Sequence, residues 1–253
     1  MRNLFFYDAG CRVGRNMLNT GKSVDDLLAH MDYSGVDKAL IVHSGVIDDV
    51  VYSNDQVTQM VAQAPDRLTG IWCFLPDQCP EVPCPDKIFD EMGKNNIRAL
   101  IFFPDEHRYI ASRLSIGRMM NAAAERKVPI FLDNYTGNSQ ASWEQLYAFL
   151  EKFPQNTFIF RAEFGKWGND RFVRPLLENY PNFYFGLGGY WIPEGIYELA
   201  KLYGAERLLF SSNYPIYNMG CLMLQLKHSR LSEEQIAMIA GKNLERLLKG
   251  AQL

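Results

Sequence analysis

The sequence contains no apolar run approaching the roughly 18 residues that a membrane-spanning helix needs. It also has no basic stripe. Its 26 Lys and Arg are outweighed by 29 Asp and Glu, for a formal net charge of −3. A phosphate backbone demands clustered positive charge, so nucleic acid is not an expected partner. Histidine is scarce: His30, His43, His107 and His228 are the four copies, and no two lie close enough in sequence to form a zinc motif. The five cysteines include no Cys-x-x-Cys pair, and their odd, uneven spread fits a reduced cytoplasmic protein better than a disulfide framework. Cys79 and Cys84 share a Pro-rich loop, where a structural metal would lack both a close cysteine pair and a histidine. No Gly-x-Ser-x-Gly elbow is present for serine hydrolase chemistry, and no Gly-rich phosphate loop follows the first apolar segment. That first segment, MRNLFFYDAG, is far shorter than a signal-peptide core and is interrupted by Asp8, so it reads as a strand.

What the chain does have is apolar material: 253 residues, 47% of them hydrophobic, suffice for one large core. Short β-branched and aromatic runs at 4–9, 38–44, 68–76, 97–104, 128–134, 158–164, 183–187 and 208–213 read as eight strands. Helical patterns lie between them, at 23–33, 53–63, 86–94, 114–127, 143–152, 170–179, 193–203 and from near 217. A last helix, 232–248, opens on Ser232-Glu233-Glu234-Gln235, a capping box. Gly35 stands where the first helix should stop. Strict β-α alternation implies parallel strands, because each parallel neighbour needs a crossover. Eight units favour closure into a barrel, so the expected fold is a single (β/α)8 TIM barrel, residues 1–253, with an additional C-terminal helix.

In such a barrel the active site sits at the C-terminal strand ends. Those ends read Asp8-Ala9-Gly10-Cys11-Arg12, His43-Ser44, Phe103-Pro104-Asp105, Asp133-Asn134-Tyr135, Arg161-Ala162-Glu163 and Ser212-Asn213-Tyr214-Pro215, polar where a strand core has no need of polarity. Four further stretches, in order, resemble the amidohydrolase-related family: 23–39 as the first helix leading into strand two, 64–70 as the entry to strand three, 204–215 as the strand-eight signature, and 241–248 as the closing helix. The resemblance covers nearly the whole chain. It implies hydrolase chemistry, or lyase chemistry such as decarboxylation, on a small and carboxylated molecule, and it makes a homo-oligomer reasonable.

The resemblance also implies a metal, and there the chain departs from it. The family's two strand-one histidines fall on Gly10 and Arg12, its strand-five histidine on Asp133, its strand-six histidine on Glu163, and its strand-eight aspartate on Asn213. Gly10 donates nothing, and Arg12 is a permanent cation that cannot ligate. The chain is therefore expected to work without metal or other cofactor. Residues 8, 10 and 12 share one parity of an extended strand, which would aim Arg12 at the mouth and Cys11 toward the helices. Arg12 would then take the electrostatic place of the metal, between the carboxylates of Asp133 and Glu163. Two readings stay open. One is a structural ion cluster in a pseudoenzyme or small-molecule-binding protein that keeps only the fold. The other is acid-base catalysis by Asp133 and Glu163, with Arg12 holding an anion and Asn213 orienting substrate or water. His43, Tyr135, Lys166, Trp167 and Tyr214 are the candidate substrate-facing residues, against the alternative that His43 caps its loop and the aromatics pack.

Overall fold

The computed structural model describes residues 4–15, 21–133, 140–161 and 170–253, with the backbone alone at 140–142. Expected site residues Glu163, Tyr135, Lys166 and Trp167 lie outside these. Among the described residues nine strands form one sheet: β1 (Tyr7–Arg15), β2 (Gly21–Lys22), β3 (Lys38–His43), β4 (Leu68–Cys73), β5 (Ile97–Ile101), β6 (Ile130–Asp133), β7 (Phe158–Arg161), β8 (Phe183–Gly186) and β9 (Leu208–Leu209). From β3 onward each strand pairs in parallel with the next in sequence, and β1 pairs in parallel with β3. The short β2, absent from the sequence reading, is an antiparallel hairpin partner of the end of β1. The sheet curls, and its ends approach one another. Ala9 N donates to Phe210 O at 2.9 Å, Arg12 N donates to Tyr214 O at 2.8 Å, and Cys11 bridges Tyr214 in parallel.

The strands are apolar on both faces, as parallel strands under helices must be. Leu40, Val42, Ile71, Ile101, Phe131 and Ile159 pack with one another inside the curl. Their sequence neighbours Ile41, Trp72, Leu100, Phe102, Leu132 and Phe160 pack outward under the helices.

The helices follow their start and stop signals. The first, α1 (Val24–Ser34), opens on a Ser23–Asp26 capping box, and Gly35 ends it at φ 81°. Then come α2 (Val50–Gln63), α3 (Pro85–Lys94), α4 (Arg113–Glu125), α5 (Gln140–Lys152), α6 (Asp170–Asn179), α7 (Gly195–Tyr203) and α8 (Met219–Lys227).

The closing segment differs from the single helix expected. Its Ser232–Gln235 capping box is present, but α9 (Glu233–Ala237) gives way to a π turn at Met238–Lys242 before α10 (Asn243–Gly250). A π turn skips helical partners and leaves carbonyls available, and Ile239 O accepts from Phe210 N at 2.9 Å. Gly241 makes the close approach possible, since a Cβ there would lie 2.7 Å from Phe5 O. The π turn docks the C-terminal segment onto the first and last strands. Leu244 and Leu248 of α10 then join the interior cluster.

Candidate functional site

The site begins at a bulge. Asp8 pairs with Ala39 and Cys11 with Ile41, so β1 spends three steps where β3 spends two. A bulge inserts one residue and reverses the alternation beyond it. Tyr7 and Ala9 therefore face the interior, whereas Cys11 and Val13 face the helices. Cys11 points as the sequence suggests. The expectation that residues 8, 10 and 12 share one face is not met: Asp8 lies with Cys11 on the helix side of the bulge, and each raises the other's cost of charge or lends it a hydrogen bond.

Asp8 is fully buried. Its Oδ1 accepts from Gly10 N at 2.9 Å and from Ser212 N at 2.8 Å, which ties the bulge to the turn after β9. Its Oδ2 has no hydrogen-bond partner. Burial pushes the Asp8 carboxyl above its ordinary value of 3.8, and the donors from Ser212, Gly10 and Cys11 offset only part of this. A raised folded-state value means that the stability Asp8 contributes is complete below pH 3.8 and is lost as pH rises through the folded value. Asp8→Asn imitates the neutral carboxyl. The variant is expected to match wild type in acid and to melt above it near neutrality. A melting-temperature difference independent of pH would contradict this.

Beyond the bulge, Arg12 enters the interior and meets Asp133 at the end of β6. Arg12 NH2 donates to Asp133 Oδ2 at 2.8 Å. From β7, where Arg161 is paired in register with Asp133, a second guanidinium arrives. Arg161 Nε donates to Oδ1 at 2.7 Å and NH2 donates to Oδ2 at 2.5 Å, a two-pronged fork. Arg161 NH1 also donates to Ala9 O in the bulge at 3.2 Å, and its guanidinium carbon sits 4.9 Å from the Phe131 ring centre. Burial alone would raise the Asp133 carboxyl. The two cations, Arg161 ahead of Arg12, outweigh burial and hold it below 3.8.

Arg161 is the residue that sequence reasoning passed over. It stood among the strand-end residues, but no family position fell on it. Its signal was a charge closing the otherwise apolar run Phe158–Arg161.

The third wall comes from the turn after β9. Asn213 has φ 57°, a left-handed conformation that Asn tolerates better than most residues. Its Oδ1 accepts from Ser211 Oγ at 3.4 Å. Gly10 and Gly188 leave room for this turn. A Cβ on Gly10 would lie 2.2 Å from Ser211 Oγ, and one on Gly188 would lie 2.4 Å from Ser211 O. The space that remains between Gly10, Arg12, Asp133, Arg161, Asn213 and Ile216 is about 10 Å³, enough for a single water centre.

Two expected substrate-facing residues turn away. His43 falls on the outward parity of β3, between Gly14 and α2. Its Nδ1 accepts from Gly45 N at 3.1 Å and lies 3.0 Å from Ser53 Oγ, which assigns the ring proton to Nε2. Burial lowers its affinity for a second proton. This is the loop-capping histidine of the alternative reading. Tyr214 packs in the outer layer with its ring 5.2 Å from that of His30 on α1. Its backbone, not its phenol, meets Arg12.

The sequence profile of the amidohydrolase family matches residues 10–250. The chain belongs to the amidohydrolase family. No curated protein matches this amidohydrolase in sequence. Among solved structures it is similar to a TIM-barrel protein from Bordetella bronchiseptica, at 15% identity, with 98% of this chain and 99% of that one covered and a TM-score of 0.73. It is similar to 2,6-dihydroxybenzoate decarboxylase from Rhizobium, at 14% identity, 98% and 99% coverage and a TM-score of 0.71. A dihydroxybenzoic acid decarboxylase from Polaromonas, solved with bound manganese and 2-nitroresorcinol, follows at 14%, 98% and 97%, and 0.70. At such identities the likeness speaks for the fold.

The manganese bound by the Polaromonas protein raises the question of donors here. Among the described residues Gly10 has none, Arg12 is cationic, Asn213 is an amide, and both oxygens of Asp133 take guanidinium hydrogens. No three His, Cys, Asp or Glu side chains converge among the described residues. The described residues do not fit a divalent cation, because two guanidiniums already stand against the Asp133 carboxylate.

Proposed function

We propose that this amidohydrolase performs hydrolase or lyase chemistry, such as decarboxylation, on a small carboxylated molecule at the mouth of a complete (β/α)8 barrel, with an arginine-carboxylate centre in place of a metal. The observation that carries the proposal is Arg12 seated on Asp133 at 2.8 Å, a permanent cation at the family's metal position. Arg12 supplies fixed positive charge for a substrate carboxylate or a developing oxyanion. Asp133 is held ionised by its two cations, so it serves as counter-ion or base rather than as acid. The acid role then falls to Glu163, with Asn213 orienting substrate or water. Tyr135, Lys166 and Trp167 remain proposed rim residues on sequence grounds. Five free cysteines suit a reducing cytoplasm. No helix among the described residues is long and apolar enough to cross a membrane. A homo-oligomer is part of the same proposal.

A second reading has its own support. A space of about 10 Å³ admits no substrate without side-chain movement, which suits a family member that binds ligands or has lost turnover. One experiment separates the readings. Chelator-treated protein is screened by thermal shift and by product analysis against aromatic and aliphatic carboxylates. Stabilisation by several degrees together with product formation is the expected result, since saturating ligand adds about 3 kcal/mol at a hundredfold excess over Kd. Stabilisation without product selects the binding protein. Activity lost to chelator and restored by manganese or zinc would overturn the metal-free centre.

A further inference from the structure

A second cavity lies on the outer side of the sheet, under α5. It holds about 360 Å³, within the roughly 300–1,000 Å³ of small-molecule sites. The sheet side is supplied by Leu132 of β6 and Phe160 of β7, the helix side by Leu146 and Phe149 of α5, and one end by the loop before α4. These side chains belong to the outer apolar layer, yet they leave this space between them. Two of the lining residues carry buried polar atoms with no hydrogen-bond partner among the described residues: Trp143 Nε1 and the Tyr109 hydroxyl. Trp143 is only 2% exposed. An indole N–H can only donate, and a buried donor left without an acceptor is destabilising and rare. The ring is not free to turn elsewhere. It is stacked on Phe172, with centroids 4.8 Å apart and planes 8° apart, and packs on Phe160 at 5.2 Å.

We propose that this cavity is a binding site for a small neutral aromatic molecule carrying one oxygen acceptor, which Trp143 Nε1 receives. The rings of Phe102, Phe149, Phe160 and Trp143 around the space favour an aromatic body. The charges on the lining favour a neutral one. Asp105 and Lys152 are exposed and opposite in sign, and the Asp133 carboxylate is already held by Arg12 and Arg161. Asp133 borders this cavity as well as the narrow space at the arginine-carboxylate centre, but the two are lined by different elements otherwise. The site does not rest on the function proposed for that centre.

Acetophenone and isopropenylbenzene test it, since they share a shape and differ in a carbonyl oxygen against a methylene group. Each is titrated into the full chain while the Trp143 indole N–H resonance is followed by NMR; Trp143→Phe assigns that resonance by removing it. Acetophenone is expected to bind at millimolar concentration or below and to move the resonance downfield, as a new hydrogen bond does. Binding to the variants is read from the ligands' own signals. The affinity of acetophenone relative to isopropenylbenzene should fall about tenfold in Trp143→Phe, which keeps a ring and loses the donor. Ala148→Phe gives an independent check. Ala148 lines the cavity from an exposed position on α5, so a larger side chain there fills the space without entering the core, and both compounds should cease to bind. No binding of acetophenone, the result expected if water alone serves Trp143, would overturn the proposal. So would an unmoved Trp143 resonance on binding, a relative affinity unchanged by Trp143→Phe, or binding that survives Ala148→Phe.

Discussion

Asp133→Asn is expected to lower the stability of the protein by about 3–5 kcal/mol at neutral pH, because it leaves one buried and one half-buried guanidinium without their shared counter-charge. In a chain of 253 residues that is a fall in Tm of roughly 10 °C. The side chains of Asp133 and Arg161 are 1% and 3% exposed, so solvent cannot take over the lost interaction. The amide keeps the size and one acceptor, which limits cavity effects and isolates charge. The sign with pH follows from the lowered carboxyl. Asp133 contributes its stability above the ordinary value of 3.8 and loses it as pH falls through the folded value. The gap between wild type and variant should be widest near neutrality and should close in strong acid. Thermal melts across that range check it. A gap that is small at pH 7 would mean that the cluster is solvated after all.

The second large effect is expected at Gly10, the position of the family's first histidine. Gly10→Ala should cost about 1–3 kcal/mol, the usual penalty for overfilling a packed site. Gly10 does not have a left-handed backbone, so the cost is steric and not conformational. The new Cβ would stand 2.2 Å from Ser211 Oγ and 3.1 Å from Asn213 Oδ1. Ser211→Ala removes the nearer atom. In that background the alanine at position 10 should cost less, with a coupling of at least about 0.5 kcal/mol between residues in direct contact. Strict additivity in chemical denaturation would show that the strand moves instead. The same crowding explains why a histidine cannot simply be restored here: its ring would need the volume that the Ser211–Asn213 turn occupies.

Much of the fold was legible because it depends on local rules. The 170–179 helix agrees with Asp170–Asn179 at both ends, and the Ser232 box and the Gly35 stop are where their residue types demand. The strict β-α alternation foretold a parallel sheet, and four ordered family segments foretold the amidohydrolase membership that the profile match over 10–250 establishes. Arg12 facing Asp133 was legible in outcome, although the parity argument behind it fails for Asp8.

What escaped the sequence reading shares one physical cause. Alternation along a strand is local, but a bulge is decided by the neighbour strand, and the extra residue between Asp8 and Cys11 appears only against Ala39 and Ile41. The π turn in the last helix is likewise tied to distant residues: Ile239 O accepts from Phe210 N, and Gly241 lies against Phe5. His43 and Tyr214 read as mouth residues from their place at strand ends, and packing against α2 and α1 turned them outward. Arg161 needed the register of β6 with β7 before its fork on Asp133, 28 residues away, could be seen. The sequence by itself determined the alternation of strands and helices, the family and the residue types that stand at the strand ends. The tertiary structure alone decided which replacements meet, because ion pairing depends on distances of a few ångströms between strands and not on spacing along the chain.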